Sequence, residues 1–190
     1  MALPHAILIS LCEQTGSGYE LARRFDRSIG YFWSATHQQI YRTLRDMESK
    51  GWLRATIVTQ HGRPDKRVYT VSARGREELA RWIAEPLQPS RPGRGNGLSD
   101  NSTRDIAVKL RGAAYGDIAA LRAQVDALRA ERAASLETYR GLQRRTFPDT
   151  SALRDAALHQ YLVLRGGIRA EESAIEWLDE VARALQETKP

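Results

Sequence analysis

Apolar positions along the 190-residue chain follow a helical period, switch to a period of two, and return to a helical period. In Ala2–Gln14, Ile7, Leu8, Leu11 and Cys12 recur at helical spacing, which predicts a largely buried first helix with Pro4 in its first turn. Thr15-Gly16-Ser17-Gly18 breaks it. Tyr19–Ser28 predicts a short second helix with Leu21, Ala22 and Phe25 inward and Arg23, Arg24 and Arg27 outward. Gly30 interrupts, and the aromatic cluster Tyr31-Phe32-Trp33 follows. From Thr36 to Leu53 the pattern is that of one amphipathic helix. Thr36 and Gln39 have capping-box spacing, Ile40, Leu44 and Met47 form the apolar stripe, and Gly51 suits a left-handed C-terminal position. His37, Gln38, Tyr41, Arg42 and Arg45 fall on the opposite face.

Period two then takes over. Leu53, Ala55 and Ile57 alternate with Arg54, Thr56 and Val58, and Tyr69 and Val71 with Val68 and Thr70, predicting two half-buried strands. The turn between them, Gln60 to Arg67, is rich in Gly, Pro and cations. Ser72 reads as the N-cap of a helix over 73–85 with Leu79, Trp82 and Ile83 inward, stopped by Pro86. Three short-linked helices, the third presenting donors and acceptors, followed by a basic hairpin, make a winged helix-turn-helix.

Residues 86–102 are dense in Pro, Gly, Ser and Asn and read as a flexible linker. From Thr103 the texture is helical. Ile118, Leu121, Val125, Leu128, Tyr139 and Leu142 fall on one seam, at which Arg132 and Ser135 are imperfect. A second long helix over about 151–187 carries Tyr161, Leu164, Ile168, Ile175, Leu178, Ala182 and Leu185. The expected class is therefore mainly α (α+β): a winged helix over 1–85, the linker, and an antiparallel long-helix hairpin over 103–190. That hairpin offers more apolar stripe than one pair of helices buries, so a second copy of the chain is the expected partner. Packing back on the N-terminal domain is the alternative.

Composition narrows the function. Lys+Arg number 29 against 23 Asp+Glu, and residues 1–85 hold 13 of the cations against 9 of the acids, so the basic excess leans N-terminal. The single Cys12 excludes an internal disulfide framework and, inside an apolar run, reads as a buried structural thiol. No stretch reaches a membrane span, and no signal-peptide pattern opens the chain, so a soluble cytoplasmic protein is expected. His5, His37, His61 and His159 lack partners at metal-ligand spacing, and no cofactor or metal is expected. Gly16-Ser17-Gly18 follows a helix rather than a strand and lacks the third Gly of a dinucleotide loop. Glu171-Glu172 and Asp179-Glu180 read as solvent-facing, and the chain is not expected to be an enzyme.

Three motifs in order resemble the PadR family of bacterial winged-helix transcription regulators. Gly18-Tyr19-Glu20-Leu21 matches its GYEL. The run Gln39-Ile40-Tyr41-Arg42 with Leu44, Met47, Glu48, Gly51, Trp52 and Leu53 is similar to its recognition helix. Gly62-Arg63-Pro64 with Lys66, Arg67, Tyr69, Val71 and Gly75 resembles its wing. The resemblance covers roughly residues 3–85 and points to the branch with a long helical C-terminal half. Thr36-His37 replaces a common Ser-Pro at the helix start, so base preference does not carry over. The resemblance implies a homodimer and, in some members, release from DNA by a small aromatic ligand. Here Trp33, Tyr139, Tyr161 and Trp177 are the candidate ligand residues, although aromatics at helical spacing equally form core.

The expected function is a homodimeric regulator, a repressor, on a pseudo-palindromic double-stranded DNA operator. His37, Gln38 and Arg42 are candidates for base edges; Tyr19, Thr36, Tyr41 and Arg45 for phosphates; Gly62, Arg63, Lys66 and Arg67 for the wing's contacts. Ile118, Leu121, Val125, Leu128, Tyr161, Leu164, Ile168, Ile175, Leu178 and Leu185 are candidates for dimerisation. The rival expectation is a winged helix used for protein contact without DNA, which calls for apolar rather than Arg/Lys residues at the wing's tip; the tip here is basic, which argues against it.

Overall fold

The computed structural model describes residues 2–29, 35–59, 65–87 and 101–187, so Gly62, Arg63 and Trp33 lie outside the described residues, as does most of the expected linker. The chain divides into two compact units, one of Met1–Glu85 with Ala107–Leu121 and one of Pro86–Ile106 with Arg122–Pro190.

In the first unit α1 (Leu3–Glu13) is buried along His5–Leu11 and packs against the elements that follow. A helix apolar all round needs such cover. Gly16–Ser17 forms a short strand, β1, where the sequence suggests only a break. Ser17 then caps α2 (Gly18–Arg24), with a capping box completed by Glu20. The second helix does not run evenly to Ser28: from Phe25 to Ile29 it widens into a π turn.

The third helix, α3 (His37–Ser49), matches its local signals. Thr36 Oγ1 accepts from Gln39 N at 3.2 Å, while Gln39 Oε1 accepts from Thr36 N at 2.9 Å. Ile40, Leu44 and Met47 are fully buried, which contributes about 1.5–3 kcal/mol each. At the C-terminus Gly51 takes φ +73°. Its N–H donates to Glu48 O and that of Trp52 to Met47 O, both at 2.9 Å, a Schellman closure.

β2 (Leu53–Val58) and β3 (Lys66–Val71) pair antiparallel with Leu53 opposite Val71 and Val58 opposite Lys66; β1 adds to the other edge of β3, giving the order β1-β3-β2. The expected half-buried alternation fails at the far end of β2. Leu53 is 3% exposed but Ile57 67%, because the hairpin runs out past the core as a wing. Ser72 caps α4 (Ala73–Ala84) and also donates to Gly51 O at 2.6 Å, tying the end of α3 to the start of α4.

After the linker the chain does not enter one long helix. α5 (Asn101–Arg111) takes in the last two residues of the expected linker and ends at Gly112, and a 3₁₀ turn (Ala113–Tyr115) leads to α6 (Ile118–Thr146). Residues 107–121 belong to the first unit, not to the helical unit in which the sequence puts them. Val108 joins its core, the Lys109 ammonium donates to Glu85 O and lies over the Trp82 ring, and Arg111 grips Glu13 at 2.9 and 2.8 Å.

In the second unit α6 and α7 (Asp155–Glu187) run antiparallel: Arg129 meets Asp179, Arg140 meets Glu172, and Phe147 meets Tyr161 edge-on, so numbers rise on one helix as they fall on the other. Leu128, Leu136, Ile168, Ala174 and Leu178 are buried in this unit. Arg132, imperfect on an apolar seam, is buried against Glu171 at 3.6 Å with side chains 4% and 2% exposed, so Glu171 does not face solvent.

Candidate nucleic-acid interface

Helix α3 presents His37, Gln38, Tyr41, Arg42 and Arg45, all exposed, on the side opposite Ile40, Leu44 and Met47. Both ends of the helix are closed by its own sequence, so this face is held rigid without a partner. Arg42 and Arg45 meet no carboxylate among the described residues, which leaves their guanidinium groups available to an anion. His37 is more constrained: its Nε2 lies 3.2 Å from Asp26 Oδ2 in the π turn. The Thr36 hydroxyl is engaged in the cap.

The Tyr41 ring packs against Gly18 at the start of α2. A Cβ on Gly18 would come within 2.5 Å of Tyr41 Cε1, so only glycine admits the ring there. Tyr19, 59% exposed, lines one groove with Tyr41, and the Arg23 guanidinium lies 5.9 Å from the Tyr19 ring centre. Arg24, expected to point outward, instead donates from Nη1 to the Ser10 and Gln14 carbonyls and ties α2 to the end of α1.

The described wing cations Lys66 and Arg67 are engaged. Lys66 Nζ donates to Glu20 Oε1 at 2.6 Å, and Arg67 Nη2 reaches both oxygens of Glu48 at 2.6 and 2.7 Å. The Lys66 ammonium, followed by the Ser17 backbone N–H, lowers the Glu20 carboxyl to about 2. Hydrogen bonding to Glu48 pushes the Arg67 pKa up from its ordinary value. At both side chains a phosphate would therefore compete with a carboxylate. The serine at the i−3 position of Glu20 is the signal that could have revealed half of this arrangement; the Glu48 partnership has no local sequence signature.

Elsewhere, Cys12 is half-buried, with Arg76 Nη1 3.8 Å from its sulfur, and burial pushes the thiol pKa up. Among the described residues no cluster of His, Cys, Asp and Glu could hold a metal ion, and no helix is long and apolar enough to cross a membrane. Tyr161 and Trp177 lie on α7 sixteen positions apart, a span of about 24 Å along a helix axis, so α7 does not bring them into one pocket. Of the expected dimer residues, Leu121, Val125, Leu128, Ile168 and Leu178 are already buried within the chain; among the described residues the large exposed apolar side chains of this region are Leu142 at 41%, Leu162 at 55% and Val163 at 79%.

Residues 7–81 match the model of the "Transcriptional regulator PadR-like family", and residues 104–186 that of "Virulence activator alpha C-term". A Mycobacterium tuberculosis protein named "Probable transcriptional regulator Rv1176c" is 78% identical over 189 residues, 100% of both chains. "Negative transcriptional regulator PadR" of Bacillus subtilis is 35% identical over 81 residues, 43% of this chain and 44% of that one. Among solved structures, Bacillus subtilis PadR in complex with operator DNA aligns over 97% of this chain and 99% of that chain, at 23% identity and a TM-score of 0.46.

Proposed function

The chain belongs to the PadR-like family of transcriptional regulators, and on that premise we propose that it acts in the cytoplasm as a homodimeric repressor reading a pseudo-palindromic operator. The observation that carries this reading is the α3 face: Gln38, Arg42 and Arg45 stand exposed, with no carboxylate partner among the described residues, on a helix capped at both ends. Gln38 and Arg42 have the donor and acceptor geometry for adenine and guanine edges in the major groove, and Arg45 and Tyr41 suit phosphates. His37 joins the base readers by leaving Asp26. Two such helices enter successive major grooves about 34–36 Å apart. Leu162 and Val163, exposed on α7, are the apolar surface that supports a two-fold contact through the helical hairpin. The buried seam residues act through packing within each copy. An aromatic effector site gains no support from Tyr161 and Trp177, which α7 separates.

Exposed Ile57 and Val58 on β2 favour the second reading, a wing that docks on protein. Selection of bound fragments from genomic DNA with the purified chain, followed by footprinting, separates the two. An inverted repeat with half-sites one helical turn apart supports the regulator. Random fragments held by charge alone, or no retained DNA, favour the protein-contact reading.

A further inference from the structure

Behind Tyr19, already a candidate for phosphate, helix α2 and its π turn carry two arginines that neither the recognition helix nor the wing explains. Tyr19, Arg23 and Arg27 recur every four residues along α2 and its π turn and line one open groove of about 840 Å³, shared with Tyr41 of α3 and Lys66 of β3. The groove therefore opens onto the same surface as the recognition helix. Two carboxylates line it. Glu20 is taken by Lys66 and by the Ser17 cap, which leaves Asp65. Arg24 is held by backbone carbonyls, whereas Arg23 and Arg27 meet no carboxylate among the described residues. From Tyr19 to Arg27 is about 12 Å of helix, long enough to meet more than one phosphate of a strand that advances about 3.4 Å along the duplex axis per nucleotide.

We propose that Tyr19, Arg23 and Arg27 form a second phosphate track, which grips the operator backbone on the flank of the major groove that α3 occupies. The ligand is the phosphodiester backbone of duplex DNA, and the track rests on the operator-binding reading above. Tyr19 donates its hydroxyl, and its ring keeps the Arg23 guanidinium in place at 5.9 Å. Arg27 continues the line where the π turn widens the helix.

The test is the salt dependence of operator affinity by fluorescence anisotropy, using the full chain, the selected operator and a scrambled duplex of equal length. Arg23→Ala/Arg27→Ala is compared with Arg23→Lys/Arg27→Lys, all variants first matched to the wild type by thermal melting. Loss of two phosphate contacts flattens the slope of log K against log salt by about 1.8, so the wild-type advantage shrinks about twelvefold between 50 and 200 mM salt. The lysine variant keeps the wild-type slope. An unchanged slope in the alanine variant, or an equal loss in the lysine variant, overturns the track while leaving operator binding intact. Equal wild-type affinity for operator and scrambled duplex overturns the operator reading itself, and the track with it. Inorganic phosphate, added at matched ionic strength, is expected to displace DNA no better than chloride. Stronger displacement from the wild type than from the alanine variant would make the groove a small-anion site and overturn the proposal.

Discussion

Arg132 and Glu171 give the sharpest test of how the helical unit is held together. Their side chains are 4% and 2% exposed and 3.6 Å apart, and Arg132 Nη2 also lies 3.4 Å from Thr103 Oγ1. Arg132→Met leaves Glu171 buried without that cation, and Glu171→Leu does the reverse; breaking one side of a buried pair costs about 3–5 kcal/mol. For a chain of this size each kcal/mol moves the melting temperature by about 2–4 °C, so each single variant is expected to melt roughly 6–20 °C lower. The double variant Arg132→Met/Glu171→Leu removes both desolvation costs and replaces the pair by side chains of similar volume. It is expected to fall within about 1 kcal/mol of the wild type or above it. Differential scanning calorimetry of the four proteins closes the thermodynamic cycle. Single variants costing less than about 1 kcal/mol would class the pair with solvent-screened surface bridges. A double variant as damaged as the two singles together would show that the charges do not act on each other. Either result refutes the reasoning.

Further outcomes follow from the interface. Gly18→Ala pushes the Tyr41 ring off α2, because the new Cβ lies 2.5 Å from Cε1; operator affinity is expected to fall about tenfold, the worth of a hydrogen bond to a charged group. The same substitution in a Tyr41→Ala background should add almost nothing, and an equal loss there would sink the idea. Glu20 has a folded pKa lowered from 4.5 to about 2, so its contribution is complete above pH 4.5 and is lost as pH falls towards 2. At an exposed pair it amounts to less than about 1 kcal/mol. Melting temperatures of wild type and Glu20→Gln should converge across that window; parallel curves would contradict the assignment. Arg45→Ala should flatten the salt slope of operator binding by about 0.9, and Arg67→Ala by clearly less, since Arg67 gives up Glu48 to reach DNA. Equal slopes for the two variants would mean that the Glu48 pair does not hold in solution.

What could be read from the residues alone was what a few neighbours decide. Thr36 with Gln39, the stripe Ile40-Leu44-Met47 and the left-handed Gly51 all act within one or two helical turns, and the structure has each where the spacing put it. Ser17 with Glu20 obeys the same capping rule; flanking glycines made it look like a break, although the cap is formed and β1 pairs with β3. The departures arise where a partner lies far along the chain. Ile57 keeps the alternation of β2 but has no core beneath it. Arg132 and Glu171, 39 positions apart, look like a flaw in a seam and a solvated acid, and become a buried pair only when α6 and α7 come together. The same holds for the exposed cations of the first unit. Residue type counts Lys66 and Arg67 with Arg42 and Arg45, yet Glu20 and Glu48, 46 and 19 positions away, engage the first two and leave the second two open. A count of cations therefore overstates what Lys66 and Arg67 offer to phosphate and understates α2, whose Arg23 and Arg27 meet no carboxylate among the described residues. Which arginines remain for nucleic acid is set by tertiary pairing among the acids, and that distribution, more than the net charge of +6, should govern how steeply binding falls with salt.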